Sequence, residues 1–203
     1  MHTHTLQALP ENYREILHLD LQQDKKTALR VNVLGIVLAI VFGVIFHLVV
    51  PVSSFFDREA GLAAYFVRLL VLLAGYIGYV ILHELTHAAA MRFFGGGKVR
   101  FGFTGMYACA GSETDYFDRF AYRIIALAPL AVWGVIFTLV MALVPRGWFW
   151  VAAFLQLGNI SGAAGDIYVA WKLQTVPADA LIRDTGVAMW MYSAEGNGQG
   201  TGA

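Results

Sequence analysis

Two stretches of this sequence, Val31–Val50 and Ile124–Val144, run for 20 and 21 residues without a charged side chain. A helix rises 1.5 Å per residue, so roughly 20 apolar residues cross the hydrocarbon core of a bilayer. Two more apolar blocks accompany them. Leu69–Phe94 is interrupted by His83, Glu84, His87 and Arg92, and Trp148–Trp171 carries one acid, Asp166. Composition agrees, with 58% hydrophobic and 14% charged residues against about 45–50% and 25% in soluble domains. The expectation is an all-α integral membrane protein with four transmembrane helices. About thirty mostly polar residues precede the first block and no cleavage-site pattern follows, so that block does not read as a signal peptide. Fourteen Lys and Arg balance fourteen Asp and Glu; zero net charge removes the electrostatic case for a nucleic-acid partner. The single cysteine, Cys109, excludes an intrachain disulfide and reads as a small apolar residue.

Basic residues set an orientation. Eleven of the fourteen lie before the first block, between the second and third, or after the fourth; only Arg58, Arg68 and Arg146 lie on the other side. The positive-inside bias then puts both termini and the middle loop in the cytoplasm. Trp148 and Trp150 would stand at the outer interface. Three segments follow: 1–30 as a cytoplasmic N-terminal segment, 31–172 as the membrane core, and 173–203 as a cytoplasmic C-terminal segment. Within the first, Pro10–Arg30 reads as an interfacial amphipathic helix with Tyr13, Leu17 and Leu21 on one face; a plain solvated helix is the alternative. Gly95-Gly96-Gly97 stops the second helix. Val99–Phe103 and Met106–Ala110 flank Thr104-Gly105 as a short β-hairpin. Pro177 opens a last short helix, and the Gly-rich tail from Ala194 reads as disordered.

The chemistry sits in the second block. His83-Glu84-Leu85-Thr86-His87 is an H-E-x-x-H motif. On a helix, residues i and i+4 share a face, so both imidazoles reach one ion, and zinc favours such nitrogen ligands. Glu84 stands one step round, where it can activate water as a general base. The bare pattern arises by chance in polar loops. Here it lies in an apolar helix, where each ionisable residue costs about 2.5–3.5 kcal/mol to insert and marks a functional site.

A catalytic zinc takes three protein ligands and keeps one position open. Asp166 lies six residues before Lys172, much as His87 lies five before Arg92, so the two share one depth near the cytoplasmic face. The sequence-level ligand set is therefore His83, His87 and Asp166, with Zn2+ as cofactor. Glu113, Asp115 and Asp118 in the polar loop stay open as alternatives for the third ligand. Asn159, seven residues before Asp166, is a candidate for holding a substrate backbone or an oxyanion, or else for packing. Small residues at Ser161–Gly165, Gly75 and Gly78 allow close helix approach. His47, near the other membrane face, reads as a packing histidine, and His2, His4 and His18 as surface residues.

In these residues the chain resembles the site-2 protease class of intramembrane zinc metalloproteases, and within it the compact bacterial putative-zincin membrane peptidase family. The resemblance runs in order over Gly75–Gly186. It comprises HELTHAAA at His83–Ala90, the Gly-rich hairpin segment Gly95–Ala110, Leu127-Ala128-Pro129-Leu130, NISGAAGD at Asn159–Asp166, and LIRDTG at Leu181–Gly186. The Asn-Pro-Asp-Gly element of larger site-2 proteases is replaced by Gly165-Asp166-Ile167. The resemblance implies peptide-bond hydrolysis at the membrane, Asp166 as third ligand, and a hairpin edge that binds an extended substrate by strand addition.

The sequence thus points to a zinc-dependent endopeptidase acting on membrane-bound or membrane-proximal proteins, with the lipid bilayer as its surroundings and its oligomeric state open. The alternative is a non-catalytic zinc scaffold that binds hydrophobic segments. A structural zinc has no need of Glu84, which weighs for the enzyme.

Overall fold

A computed structural model describes residues 4–20, 23–56, 61–103 and 108–195 of the chain. The chain forms two compact units. One comprises Met1–Arg30, Glu84–Ala128 and Gly165–Ala203, and the other Val31–His83 and Pro129–Ala164. Among the described residues, three helices are long and apolar enough to cross a membrane: α1 (Lys25–Val49), α2 (Gly61–Phe93) and α3 (Arg119–Leu143). Asp24 starts α1 by accepting the backbone N–H groups of Lys26 and Thr27 at 3.0 and 3.1 Å, the ordinary device for the orphan donors of a first turn. Glycine ends α2 as expected. Gly95 has φ +88, Gly96 N–H donates to Met91 O at 2.9 Å, and Gly95 N–H donates to Arg92 O at 3.1 Å. That is the paired closure of a left-handed C-terminal cap.

The fourth apolar block is not one continuous helix. It splits at Ala163 into α4 (Phe149–Gly162) and α5 (Ala164–Lys172). Five consecutive residues of α4, Phe149 to Ala153, are buried. A helix apolar on all sides can be buried in protein as well as in lipid, and the packing of α4 accounts for its composition. Trp150 is buried and donates its indole N–H to Val50 O at 2.9 Å, so it packs against the end of α1 and does not form an exposed aromatic belt. Small residues do permit close approach in this unit. A Cβ on Gly35 would stand 3.0 Å from Ser161 O, and one on Gly75 would stand 3.2 Å from the Leu155 side chain.

The fold is not all-α. The first unit carries a five-stranded antiparallel sheet. Its strands are β1 (Thr5–Leu6), β2 (Tyr13–Asp20), β5 (Tyr116–Asp118), β6 (Leu181–Asp184) and β7 (Ala188–Ala194), in the order β1-β5-β6-β7-β2. The helix expected over Pro10–Arg30 is therefore replaced by β2 at Tyr13–Asp20, while Lys25–Arg30 are helical as the start of α1. Tyr13, Leu17 and Leu21 fit a helical face locally. The backbone of β2 instead pairs with β7, from Tyr13↔Ala194 to Asp20↔Ala188, and a partner so distant in sequence leaves no local signal. The short helix expected after Pro177 is likewise replaced by the β6–β7 hairpin. Alternate residues Met189, Met191 and Ser193 of β7 are buried, the period of two of a half-buried strand. The middle hairpin forms as expected, with β3 (Arg100–Phe103) and β4 (Ala108–Gly111) in register from Arg100↔Gly111 to Phe103↔Ala108. Its Thr104-Gly105 turn and tail residues 196–203 lie outside the described residues.

The core of the first unit gathers Met91, Phe117, Tyr122, Ile125, Leu173, Ile182, Met189 and Met191. That of the second gathers Phe55, Phe149, Trp150, Val151 and Ala153.

Candidate metal centre

His83 and Glu84 are adjacent in α2, and His87 lies one turn further on. The division between the two units falls between His83 and Glu84, inside this unbroken helix. Helical geometry alone therefore carries His83 one turn from His87. Asp166 lies in the first turn of α5, positioned by the break at Ala163. Its Oδ1 stands 3.5 Å from His87 Nε2, and both side chains are largely buried, 24% and 12% exposed. One potential ligand atom from each of His83, His87 and Asp166 lies within 4.8 Å of the others.

The partners of the imidazoles set their protons. His87 Nδ1 is 3.0 Å from Ile125 O. A carbonyl only accepts, so Nδ1 carries a proton, and Nε2 is the ring nitrogen turned towards Asp166. The sequence explains why that carbonyl is available. Residue 129 would ordinarily donate to the carbonyl four residues earlier, and residue 129 is Pro129, inside α3, with no N–H to give. The 3.5 Å separation is long for a charge-assisted hydrogen bond, which runs at about 2.7–2.9 Å. It suits two ligands on one tetrahedral zinc, whose donors at about 2.0–2.1 Å stand about 3.4 Å apart. The donor set of two imidazoles and a carboxylate fits zinc, with each histidine braced at its other nitrogen as metal-binding histidines usually are.

The loop acids have other tasks. Asp115 is fully buried and accepts hydrogen bonds from Gln7 Nε2, Gly97 N–H and Ser112 Oγ at 2.5–2.8 Å. Asp118 pairs with His4 at 2.6 Å and accepts the Ala121 N–H. Glu113 pairs with Arg100 at 2.9 Å. Among the described residues, none of the three joins the group formed by His83, His87 and Asp166.

Asn159 is placed away from the role considered for it. It is fully buried; its Oδ1 accepts from Tyr79 Oη at 3.0 Å, and its Nδ2 donates to Leu130 O and Gln156 Oε1, both at 3.3 Å. With its amide engaged by protein, it is not set to hold a substrate or oxyanion. The break at Ala163 also ends the common helical face assumed for Asn159 and Asp166. His47 accepts the Val52 N–H at 3.1 Å and has a turn-building role. His18 stacks on Trp190, and His2 lies outside the described residues. Cys109 is buried, and burial raises its thiol pKa, so it is not a primed nucleophile.

Three neighbours of the site were given no individual role from the sequence. Tyr79 precedes His83 by one turn, and its hydroxyl stands 2.9 Å from His83 Nδ1; its i, i+4 spacing was the available signal. Pro129 acts through the Ile125 carbonyl. Asp184, at the end of β6, accepts hydrogen bonds from Tyr122 Oη and from Gly186 N–H. Burial raises its carboxyl pKa above the ordinary 3.8, opposed by those two donors. No local signal tied Asp184 to Tyr122, 62 residues away.

Comparison with curated proteins gives no match, and comparison with solved structures gives none. A family model, DUF3267, described as "Putative zincin peptidase", matches residues 76–181, a stretch that includes the motif, Pro129, Asn159 and Asp166. That match spans more than half of the chain, and the protein belongs to this zincin-like peptidase family.

Proposed function

We propose that the protein is a membrane-embedded, zinc-dependent endopeptidase of the site-2 protease type. It hydrolyses peptide bonds of membrane-bound or membrane-proximal proteins from the cytoplasmic half of the membrane. The observation that carries this reading is the approach of His87 Nε2 and Asp166 Oδ1 to 3.5 Å beside His83. His83, His87 and Asp166 would hold the ion. A bound zinc would polarise the scissile carbonyl and make water acidic enough to ionise near neutral pH. Glu84, one residue along the helix from His83, takes a proton from water and delivers it to the leaving amine. The three membrane-length helices support action at a bilayer, and the distribution of basic residues supports cytoplasmic termini.

A substrate helix must unwind before cleavage, since its carbonyls are otherwise held by its own N–H groups. The outer edge of β3 suits an extended segment: among the described residues β3 pairs with β4 alone, and Phe101 and Phe103 are exposed. Added strands gain affinity from main-chain hydrogen bonds.

The test is Glu84→Gln, purified in detergent and assayed on a membrane-anchored reporter. Zinc content stays at the wild-type level while cleavage is lost. Full cleavage by this variant would remove Glu84 from the mechanism. A wild-type protein that binds zinc yet cleaves no membrane substrate would favour the scaffold reading.

A further inference from the structure

A line of polar side chains in the second unit, exposed at Thr138 and buried from Gln156 to Tyr79, ends on His83. Thr138 Oγ1 donates to Gly134 O at 2.7 Å. Gln156 Nε2 donates to Gly134 O at 3.2 Å and to Thr138 Oγ1 at 3.3 Å. Gln156 Oε1 accepts from Asn159 Nδ2, which also donates to Leu130 O. Asn159 Oδ1 accepts from Tyr79 Oη, and Tyr79 Oη meets His83 Nδ1 at 2.9 Å. Tyr79, Gln156 and Asn159 are each at least nine-tenths buried.

The direction of every bond follows from its end. Gly134 and Leu130 contribute carbonyl oxygens, which only accept, so the Gln156 and Asn159 amide nitrogens must face them. That turns Asn159 Oδ1 towards Tyr79. An amide oxygen only accepts, so the one hydroxyl proton of Tyr79 goes to Asn159. The Tyr79 oxygen then faces His83 as an acceptor, and His83 Nδ1 must carry a proton. We infer that Tyr79 is a positioning residue that, through Asn159 and Gln156, holds His83 in the tautomer whose Nε2 lone pair can bind the metal. The inference rests on the reading of His83 as a ligand. It gives His83 the same proton placement that the Ile125 carbonyl gives His87, with polarity drawn from backbone carbonyls in both cases.

Two substitutions separate this from simple packing. Tyr79→Phe keeps the ring, which packs against Trp133 and Phe137, and removes the acceptor. Asn159→Leu keeps the volume and removes the group that takes the Tyr79 proton. That proton then turns to His83 Nδ1 and displaces the imidazole proton to Nε2, the wrong tautomer. Zinc affinity, measured by chelator competition, falls about 10–100-fold in Tyr79→Phe, the usual range for an outer partner of a metal-binding histidine. It falls further in Asn159→Leu, and the double variant recovers to the Tyr79→Phe level. In the metal-free wild-type protein at pH 8.5, histidine 15N shifts show His83 protonated at Nδ1. Wild-type zinc affinity in both single variants, with zinc lost in His83→Ala, overturns the inference and leaves the ligand assignment standing. Wild-type zinc binding by His83→Ala overturns the assignment itself. Should Asn159→Leu fail to fold, Tyr79→Phe and the 15N shifts decide alone, and a proton on Nε2 of His83 refutes the inference.

Discussion

Pro129→Ala should make the protein hold zinc less well while its fold becomes no weaker. Alanine restores the N–H that proline lacks and offers it to Ile125 O, the acceptor now used by His87 Nδ1 at 3.0 Å. Replacing proline by alanine in a helix interior gains up to about 3 kcal/mol. The fully buried Pro129 ring gives up two methylenes, at about 0.8 kcal/mol each. The balance favours the variant fold by about 1 kcal/mol. The His87 bond, by contrast, now shares its acceptor. A hydrogen bond has a net worth of about 0.5–1.5 kcal/mol, so its loss weakens zinc binding about 2- to 13-fold. Both quantities come from one detergent-purified sample: thermal unfolding of the metal-free protein, and chelator competition for zinc. A variant that unfolds at or above the wild-type temperature and binds zinc with wild-type affinity would refute the argument that the proline serves the metal centre.

Asp166→Ala removes the proposed third ligand and should lower zinc affinity by more than the 10–100-fold of an outer-shell change; unchanged affinity and stoichiometry in a metal titration would assign the third ligand elsewhere. Tyr122→Phe leaves the Asp184 carboxylate with one donor fewer and should cost about 1–3 kcal/mol of stability near neutral pH. Because burial already raises the Asp184 carboxyl pKa above 3.8, its protonated form is favoured in the fold and stability falls as pH rises through that raised value. The difference between variant and wild type therefore shrinks as pH is lowered towards 3.8, and a pH-independent difference in urea unfolding would contradict the assignment. Gly111→Ala should displace the hairpin, since a Cβ there would lie 2.1 Å from the backbone carbon of Thr185. A cost of at least about 1–3 kcal/mol is expected, read as a lowered unfolding temperature.

The metal-binding motif was legible because it is local. Residues four apart on a helix must share a face, and three ionisable groups in an apolar block call for a compensating ion. Asp166 was legible for the same reason, as the one acid of its block. The strands around the site were not. β2 carries a helix-compatible pattern, and its partner β7 lies some 170 residues on. The small residues of Ser161–Gly165 were legible as a close-packing segment, but not as the site of the break at Ala163 that precedes Asp166.

The sequence by itself marked out four apolar blocks, three of which form membrane-length helices, the end of α2 at its glycines, and two histidines and a glutamate on one helical stretch. Each depends on residues within a turn or a span of one another, where propensity and periodicity act directly. Only the tertiary structure decided which acid joins the histidines and what Asn159 touches. It alone showed that Pro129 leaves a carbonyl for His87 and that Tyr79 meets His83. Those outcomes depend on groups that become neighbours when distant segments pack. The constraint that selects them, that every buried donor and acceptor find a partner, can be applied only once the neighbours are known.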